Sequence, residues 1–280
     1  MILITGATGS VGRAATGLLL KEGEKVAAVT RDPARAALPE DALVVEGDPS
    51  NPATLTAALG DTEAILLSPR AAGRAVGELL SLAARQGVRR VVVLSATTVE
   101  HPAGLARFAD QFRAVEEIAR ASGLEWTVLR CADFAANSLA WAPQIRATGS
   151  VRGAFGGAAS SPIHERDIAE VAVRALRDSV HTGQSYLLTG PESLTQQDKV
   201  RLIGEAIGAD LHFEELPPEQ IRLGMLAAGL PEDVPERLLG SLADYAKAPG
   251  PTSDAVAQVL GRPAATFADW AADNAGAFRG

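Results

Sequence analysis

Met1-Ile2-Leu3-Ile4-Thr5-Gly6-Ala7-Thr8-Gly9-Ser10-Val11-Gly12-Arg13 decides the fold of this chain. Ile2 to Ile4 is a short apolar, β-branched run, the pattern of a buried strand. Glycines follow at 6, 9 and 12, and then Ala14, Ala15, Leu18, Leu19 and Leu20 supply an apolar helical face. A strand, a glycine-rich turn and a helix N-terminus together form a phosphate cradle. The glycines let the backbone turn tightly and let an anion approach the N–H groups, and the helix dipole favours negative charge there. The third glycine lets the helix pack close to the strand. The spacing is G-x-x-G-x-x-G and not the usual G-x-G-x-x-G, but the strand before it and the helix after it are the context a dinucleotide site requires. The expected pyrophosphate contacts are Gly6, Thr8, Gly9, Ser10, Val11 and Gly12.

Composition narrows the alternatives. The 280 residues are 47% hydrophobic and 21% charged, enough for a sizeable core in one large domain or one domain plus a small lobe. The net charge of −8 and the lack of a basic run argue against a nucleic-acid surface. One cysteine, Cys131, rules out an internal disulfide, and a reducing cytoplasm is the expected compartment. No apolar run reaches the roughly 20 residues of a membrane span, and the chain enters its first strand at once, so neither a membrane segment nor a leader is expected.

Downstream, strands and helices alternate. Lys25 to Thr30 is a second strand, closed by Arg31-Asp32-Pro33. In dinucleotide folds the residue at this strand end meets the adenosine ribose: an acid binds the 2′-hydroxyl, whereas an arginine accommodates a 2′-phosphate. Arg31, supported by Arg35, favours NADP(H), with Asp32 as the competing NAD signal. Ala42 to Glu46 is a third strand. Asp48 after it either accepts from the adenine amino group or caps a helix starting near Asn51. Ala64 to Leu67 leads to Ser68, Val91 to Leu94 to Ser95-Ala96-Thr97, and Trp126 to Leu129 to Arg130, all strand ends of the kind that line a cofactor cleft. Helices are expected over 72–86 and 108–122. The pattern predicts an α/β, Rossmann-like, doubly wound parallel sheet over residues 1–133. Residues 134–280 are expected to form a smaller α+β lobe on the substrate side, with some elements able to return to the first domain. Thr195, with Asp198 three residues on, reads as a helix cap within Leu194 to Gly208.

These pieces, taken together and in order, resemble the NmrA-like group of atypical short-chain dehydrogenases, in particular its NADPH-dependent quinone reductase branch. The resemblance rests on Thr5 to Gly12, Thr30-Arg31-Asp32-Pro33, Gly47-Asp48 and Leu67-Ser68-Pro69. It continues with Glu116, Ser122 to Arg130, Phe134, Asn137 and Asp167-Ile168-Ala169. Gly261-Arg262-Pro263 and Thr266 to Trp270 complete it. It implies NADP(H) binding by a Rossmann-like domain with a small C-terminal lobe. The group contains both reductases and proteins that only sense the cofactor.

One departure bears on mechanism. Better-known relatives carry Tyr-x-x-x-Lys on the helix before the sixth strand, and the tyrosine moves the proton. Here the tyrosines are Tyr186 and Tyr245 and the lysines are Lys21, Lys25, Lys199 and Lys247, none on that helix. It offers Asp110, Gln111, Arg113 and Glu116 instead. The expected activity is therefore hydride transfer from NADPH to a quinone or other conjugated carbonyl, a small molecule whose reduced anion is weakly basic. The alternatives are a non-catalytic NADP(H) sensor, or a reductase or epimerase serving one biosynthetic intermediate. Ser95 and Thr97 are candidates to hold the acceptor oxygen, or to tie down the strand end. Phe134, Asn137 and Trp141 are candidates for the acceptor surface, or for core packing. His164 is a candidate proton donor, or orients the next helix. No metal-ligand cluster is visible, and a homodimer is left open.

Overall fold

The computed structural model describes residues 1–279. Six strands form the parallel heart of a seven-stranded sheet: β1 (Ile2–Ile4), β2 (Val26–Thr30), β3 (Leu43–Glu46), β4 (Ala64–Leu67), β5 (Arg90–Ala96) and β6 (Glu125–Cys131). The order is β3-β2-β1-β4-β5-β6, with β9 (Ser185–Leu188) beyond β6. β1, β2, β4 and β5 are near-continuous apolar runs because helices cover both faces. The order reverses at β1, and in such sheets the crevice outside the carboxyl ends at that reversal is where ligands bind.

The chain divides into two compact units that exchange the backbone several times. The first holds Met1–Val99, Asp110–Cys131 and Glu165–Leu187; the second holds Glu100–Ala109, Ala132–His164 and the chain from Leu188 onward. In the first unit Leu3, Ile65, Leu67, Val91 and Val93 pack with Leu79, Leu80 and Ala83 of the helix Val76–Arg85. The long helix expected over 72–86 is interrupted. Pro69–Ala72 makes one turn, Gly73 takes φ +55, and the regular helix begins only at Val76. The helix expected at 108–122 runs Ala106–Ala121.

In the second unit, β7 (Ser150–Gly153) pairs parallel with β11 (His212–Glu215), and β8 (Ala159–Ser160) pairs antiparallel with β10 (Leu194–Thr195). Its core gathers Ile145, Val151, Val200 and Ile203 around Phe267, Trp270 and Phe278. Thr195 caps the helix Gln196–Ile207 through a reciprocal pair with Asp198, and Thr266 with Asp269 does the same for Phe267–Asp273. Among the described residues no helix is long and apolar enough to cross a membrane.

Packing is tight where β1 meets the first helix, Ser10–Lys21. A Cβ at Gly12 would overlap the Gly6 carbonyl oxygen and lie 2.9 Å from Ala7 Cα, whereas one at Gly17 in the same helix meets nothing within 4 Å. Gly12→Ala should therefore lose about 1–3 kcal/mol in urea denaturation. Gly17→Ala should be neutral or stabilising by up to about 1 kcal/mol.

Candidate functional site

The glycine turn is built for an anion. Gly6 takes φ +68, Gly9 N–H donates to Gly6 O at 3.0 Å, and Gly9 is the N-cap of the first helix without a side-chain cap. No acidic residue stands in the first turn of that helix. Its leading N–H groups, at Ser10, Val11 and Gly12, are thus left to an external acceptor. Thr8, Gly9 and Ser10 are exposed; Val11 and Gly12 are buried beneath them. Thr5 fixes the turn to its neighbour: its hydroxyl donates to Leu66 O at 3.1 Å and accepts from Ser68 N–H at 2.8 Å. Ser68 then lies against Gly6, where a Cβ would come within 2.9 Å of Ser68 Cβ.

The next strand ends divide into engaged and free groups. Asp32 accepts from Arg35 N–H at 3.3 Å and pairs with the Arg35 guanidinium at 3.6 Å. That occupies both the acid that would signal NAD and the second arginine. Arg31 is exposed, and no carboxylate lies within ion-pair distance of it among the described residues. Asp48 neither caps a helix at Asn51 nor stays free. Its Oδ1 accepts from Ser50 N–H at 2.9 Å and Ser50 Oγ at 2.8 Å, and these bonds hold its carboxyl below the usual range. Arg13 has a bridging role that its place in the sequence does not signal. It donates to Ala37 O, to Ala36 O at 3.1 Å and to Thr8 O at 3.2 Å, and so ties the loop after Arg31 to the glycine turn.

At β5 and β6, Ser95 and Arg130 are directly paired neighbours. Both face Glu116 of the helix Ala106–Ala121, whose side chain is wholly buried. Ser95 Oγ donates to Glu116 Oε1 at 2.7 Å, and Arg130 reaches both oxygens, Nε to Oε1 at 3.0 Å and Nη2 to Oε2 at 2.8 Å. Arg120 adds a bond to Oε2 at 2.8 Å and lies over the Trp126 ring at 5.1 Å. Burial alone would raise the Glu116 pKa, but the bonds from Arg130, Ser95 and Arg120 outweigh it and hold the carboxyl below its ordinary value. Ser95 is thereby committed as a donor to the protein. Thr97 is buried beyond it, and the buried hydroxyl of Thr98 has no hydrogen-bond partner among the described residues.

The remaining candidates lie in the second unit. Phe134 is half-buried and bridges to Ile163, Asn137 is exposed, and Trp141 packs at the edge of the Phe267–Trp270–Phe278 core. His164 is buried, with Nε2 3.4 Å from Asp273 Oδ2. In the first unit Cys131 is buried and its thiol pKa is pushed up by desolvation, which makes it a packing residue and not a nucleophile. Among the described residues no group of His, Cys, Asp and Glu is placed to hold a metal.

A reversed-order parallel sheet with an uncapped, glycine-lined helix N-terminus at the reversal point is a dinucleotide-binding domain. Residues 6–179 match the family described as NAD(P)H-binding, and the chain belongs to that family. It is similar to a (4-alkanoyl-5-oxo-2,5-dihydrofuran-3-yl)methyl phosphate reductase of Streptomyces griseus, 36% identical with 99% of each chain covered. It is also similar to an NAD(P)H azoreductase of Xenophilus azovorans, 32% identical with 99% of each covered. A crystal structure of an NADPH-dependent quinone oxidoreductase from Escherichia coli, complexed with NADPH, superposes with a TM-score of 0.83. It is 26% identical, and the match covers 98% of this chain and 99% of that one. The chain is an NAD(P)H-dependent oxidoreductase, and the sequence resemblance to NmrA-like quinone reductases holds.

The Glu116 cluster carries a pH signature. A carboxyl whose folded pKa is depressed contributes stability above its unfolded pKa and loses it as pH falls through the folded value. Glu116→Gln should lower stability by about 2–3 kcal/mol near neutrality. The gap to wild type should narrow in acid, as followed by denaturation across pH.

Proposed function

We propose that this chain transfers hydride from NADPH to an electron-poor conjugated small molecule, a quinone or an α,β-unsaturated carbonyl. The observation that carries the reading is the fate of the proton-donating groups. The helix Ala106–Ala121 holds neither tyrosine nor lysine, and the Ser95 hydroxyl donates to Glu116. A simple ketone becomes a strongly basic alkoxide and must be protonated as it forms, a step for which a positioned acid contributes about 10²–10⁴-fold. Quinones and doubly activated enones give delocalised anions that water can protonate.

The relatives' named substrates support this choice. The dihydrofuranone of the Streptomyces griseus enzyme carries a ring double bond conjugated with a carbonyl, and azo and quinone groups are likewise electron-poor π systems. When bound, NADPH supplies the hydride. The protein's part is to bind and orient. The N–H groups from Ser10 to Gly12 would receive the pyrophosphate and Arg31 the 2′-phosphate; Phe134 and Asn137 are the candidates to touch the acceptor. The Glu116 cluster fixes the ends of β5 and β6 by which the reactants are aligned.

Two measurements check this reading. NADPH should bind roughly 10-fold or more tightly than NADH, and Arg31→Ala should remove most of that difference; equal affinities in the wild type would refute the NADP(H) assignment. In a panel assay of NADPH oxidation, naphthoquinones and enones should turn over while simple ketones do not. Rapid reduction of a simple ketone would reveal an acid, with His164 the first candidate. A protein that binds NADPH but oxidises it with no acceptor would be a sensor.

A further inference from the structure

The second unit contains a buried charge that neither folding nor cofactor binding explains. Lys199, on the helix Gln196–Ile207, is only 5% exposed. Its Nζ makes one hydrogen bond, to the buried Ser160 Oγ at 3.3 Å, and no carboxylate comes within ion-pair distance among the described residues. The charged group it faces is Asp133, which is exposed and acts on it across a longer gap. The Asp198 carboxylate, on its own helix, accepts from Thr195 N–H and hydroxyl and pairs with Arg201, and Gln196 is neutral. An apolar side chain would satisfy this position at lower desolvation cost.

Both of its partners belong to one piece of structure. Asp133 O accepts from Ile163 N–H at 2.9 Å, Ala135 N–H donates to Ile163 O at 2.8 Å, and Phe134 bridges to Ile163 between them. Ser160, on β8, leads into Ile163 and then His164. The ammonium thus touches one strand of this bridge through Ser160 and attracts the other through Asp133. The bridge carries Phe134, the aromatic candidate for the acceptor side.

We infer that Lys199 is a positioning residue for acceptor binding: its buried ammonium bonds Ser160 and attracts Asp133 at longer range, and through them sets the register of Phe134 against Ile163. This rests on the reductase reading above. Burial lowers the Lys199 pKa and Asp133 only partly opposes it, so the charge is lost at a lower pH than in a free lysine. Acceptor affinity should fall on that alkaline limb. Because burial disfavours the ammonium, removing it should not destabilise the fold.

The test uses the full chain as wild type, Lys199→Met and Lys199→Arg, with a naphthoquinone as acceptor. It reads acceptor KM and kcat from neutral to alkaline pH, NADPH affinity by fluorescence titration, and the melting temperature. Lys199→Met should keep NADPH affinity and keep or raise the melting temperature, while acceptor KM rises roughly 10-fold and its alkaline limb disappears; displacements of about 1 Å can cost up to ~10²-fold. Lys199→Arg, which stays charged, should restore most of the KM and carry it flat into alkali. An unchanged KM and limb in Lys199→Met, or a parallel loss of NADPH affinity, overturns the inference and leaves the reductase reading standing. Should Lys199→Met not fold, an unaltered alkaline limb in Lys199→Arg overturns it equally. A wild type that reduces no acceptor overturns the reductase reading and this inference with it.

Discussion

The Gly6 carbonyl and the backbone of Gly12 occupy space that no side chain can share. This contact brings the first helix down onto the end of β1, and much of the dinucleotide-binding unit depends on it. Gly6 must turn into the left-handed region to point its carbonyl at the helix, and a Cβ at Gly6 would in addition strike Ser68 at the end of β4. Thr5 then bonds both Leu66 and Ser68, so the two strands flanking the reversal point end in one fixed arrangement. Arg13 extends the constraint to the loop after β2 by gripping Ala36 and Ala37. The helix N–H groups are held in place by packing before any ligand arrives, which is what preorganisation for an anion means.

The second constraint is electrostatic. Glu116 is wholly buried, and one carboxylate there would be prohibitive without compensation. Ser95, Arg120 and Arg130 supply it from β5, from the same helix and from β6. The arrangement explains how Arg130, near the end of an interior strand, is tolerated among buried neighbours. The Ser95 hydroxyl donates a hydrogen bond to this carboxylate and so ties the end of β5 to the helix. The cluster binds the sheet to the helix Ala106–Ala121.

What the sequence made legible follows from the range of the interactions involved. The interior strands are apolar runs read from neighbours in sequence, and the glycine turn, the Arg31 strand end and the Thr195–Asp198 cap are local patterns of a few residues. The break at Gly73 escaped because periodicity over 76–85 extends plausibly back to Ala72. The partners of Ser95, Arg13 and Lys199 lie 21, 24 and 39 residues away, and only the fold brings them together. Asp48 shows the converse: its partner Ser50 is two residues on, yet an Asx-type turn and an adenine contact look the same in sequence. That some downstream elements can return to the first domain is part of the sequence reading, but which ones do, Glu165–Leu187, is set by contacts distant in sequence.

A census of commitments sharpens the functional reading. Most polar groups along the strand ends already have protein partners: Thr5, Asp32, Arg35, Asp48 and Ser95. A protein that only needed to fold could pair the rest as well. Instead the first-turn amides of the leading helix have no side-chain cap, Arg31 makes no close ion pair among the described residues and meets Asp48 only at longer range, and the buried Thr98 hydroxyl has no partner among the described residues. An unmet buried hydroxyl costs about 1–3 kcal/mol, and a glycine in place of a polar N-cap about a few tenths of a kcal/mol. Such deficits survive where binding later makes them good. Two of the three are donors that suit phosphates, and they lie on the carboxyl-end side of one parallel sheet. That side is therefore tuned to a phosphorylated dinucleotide more than to the fold.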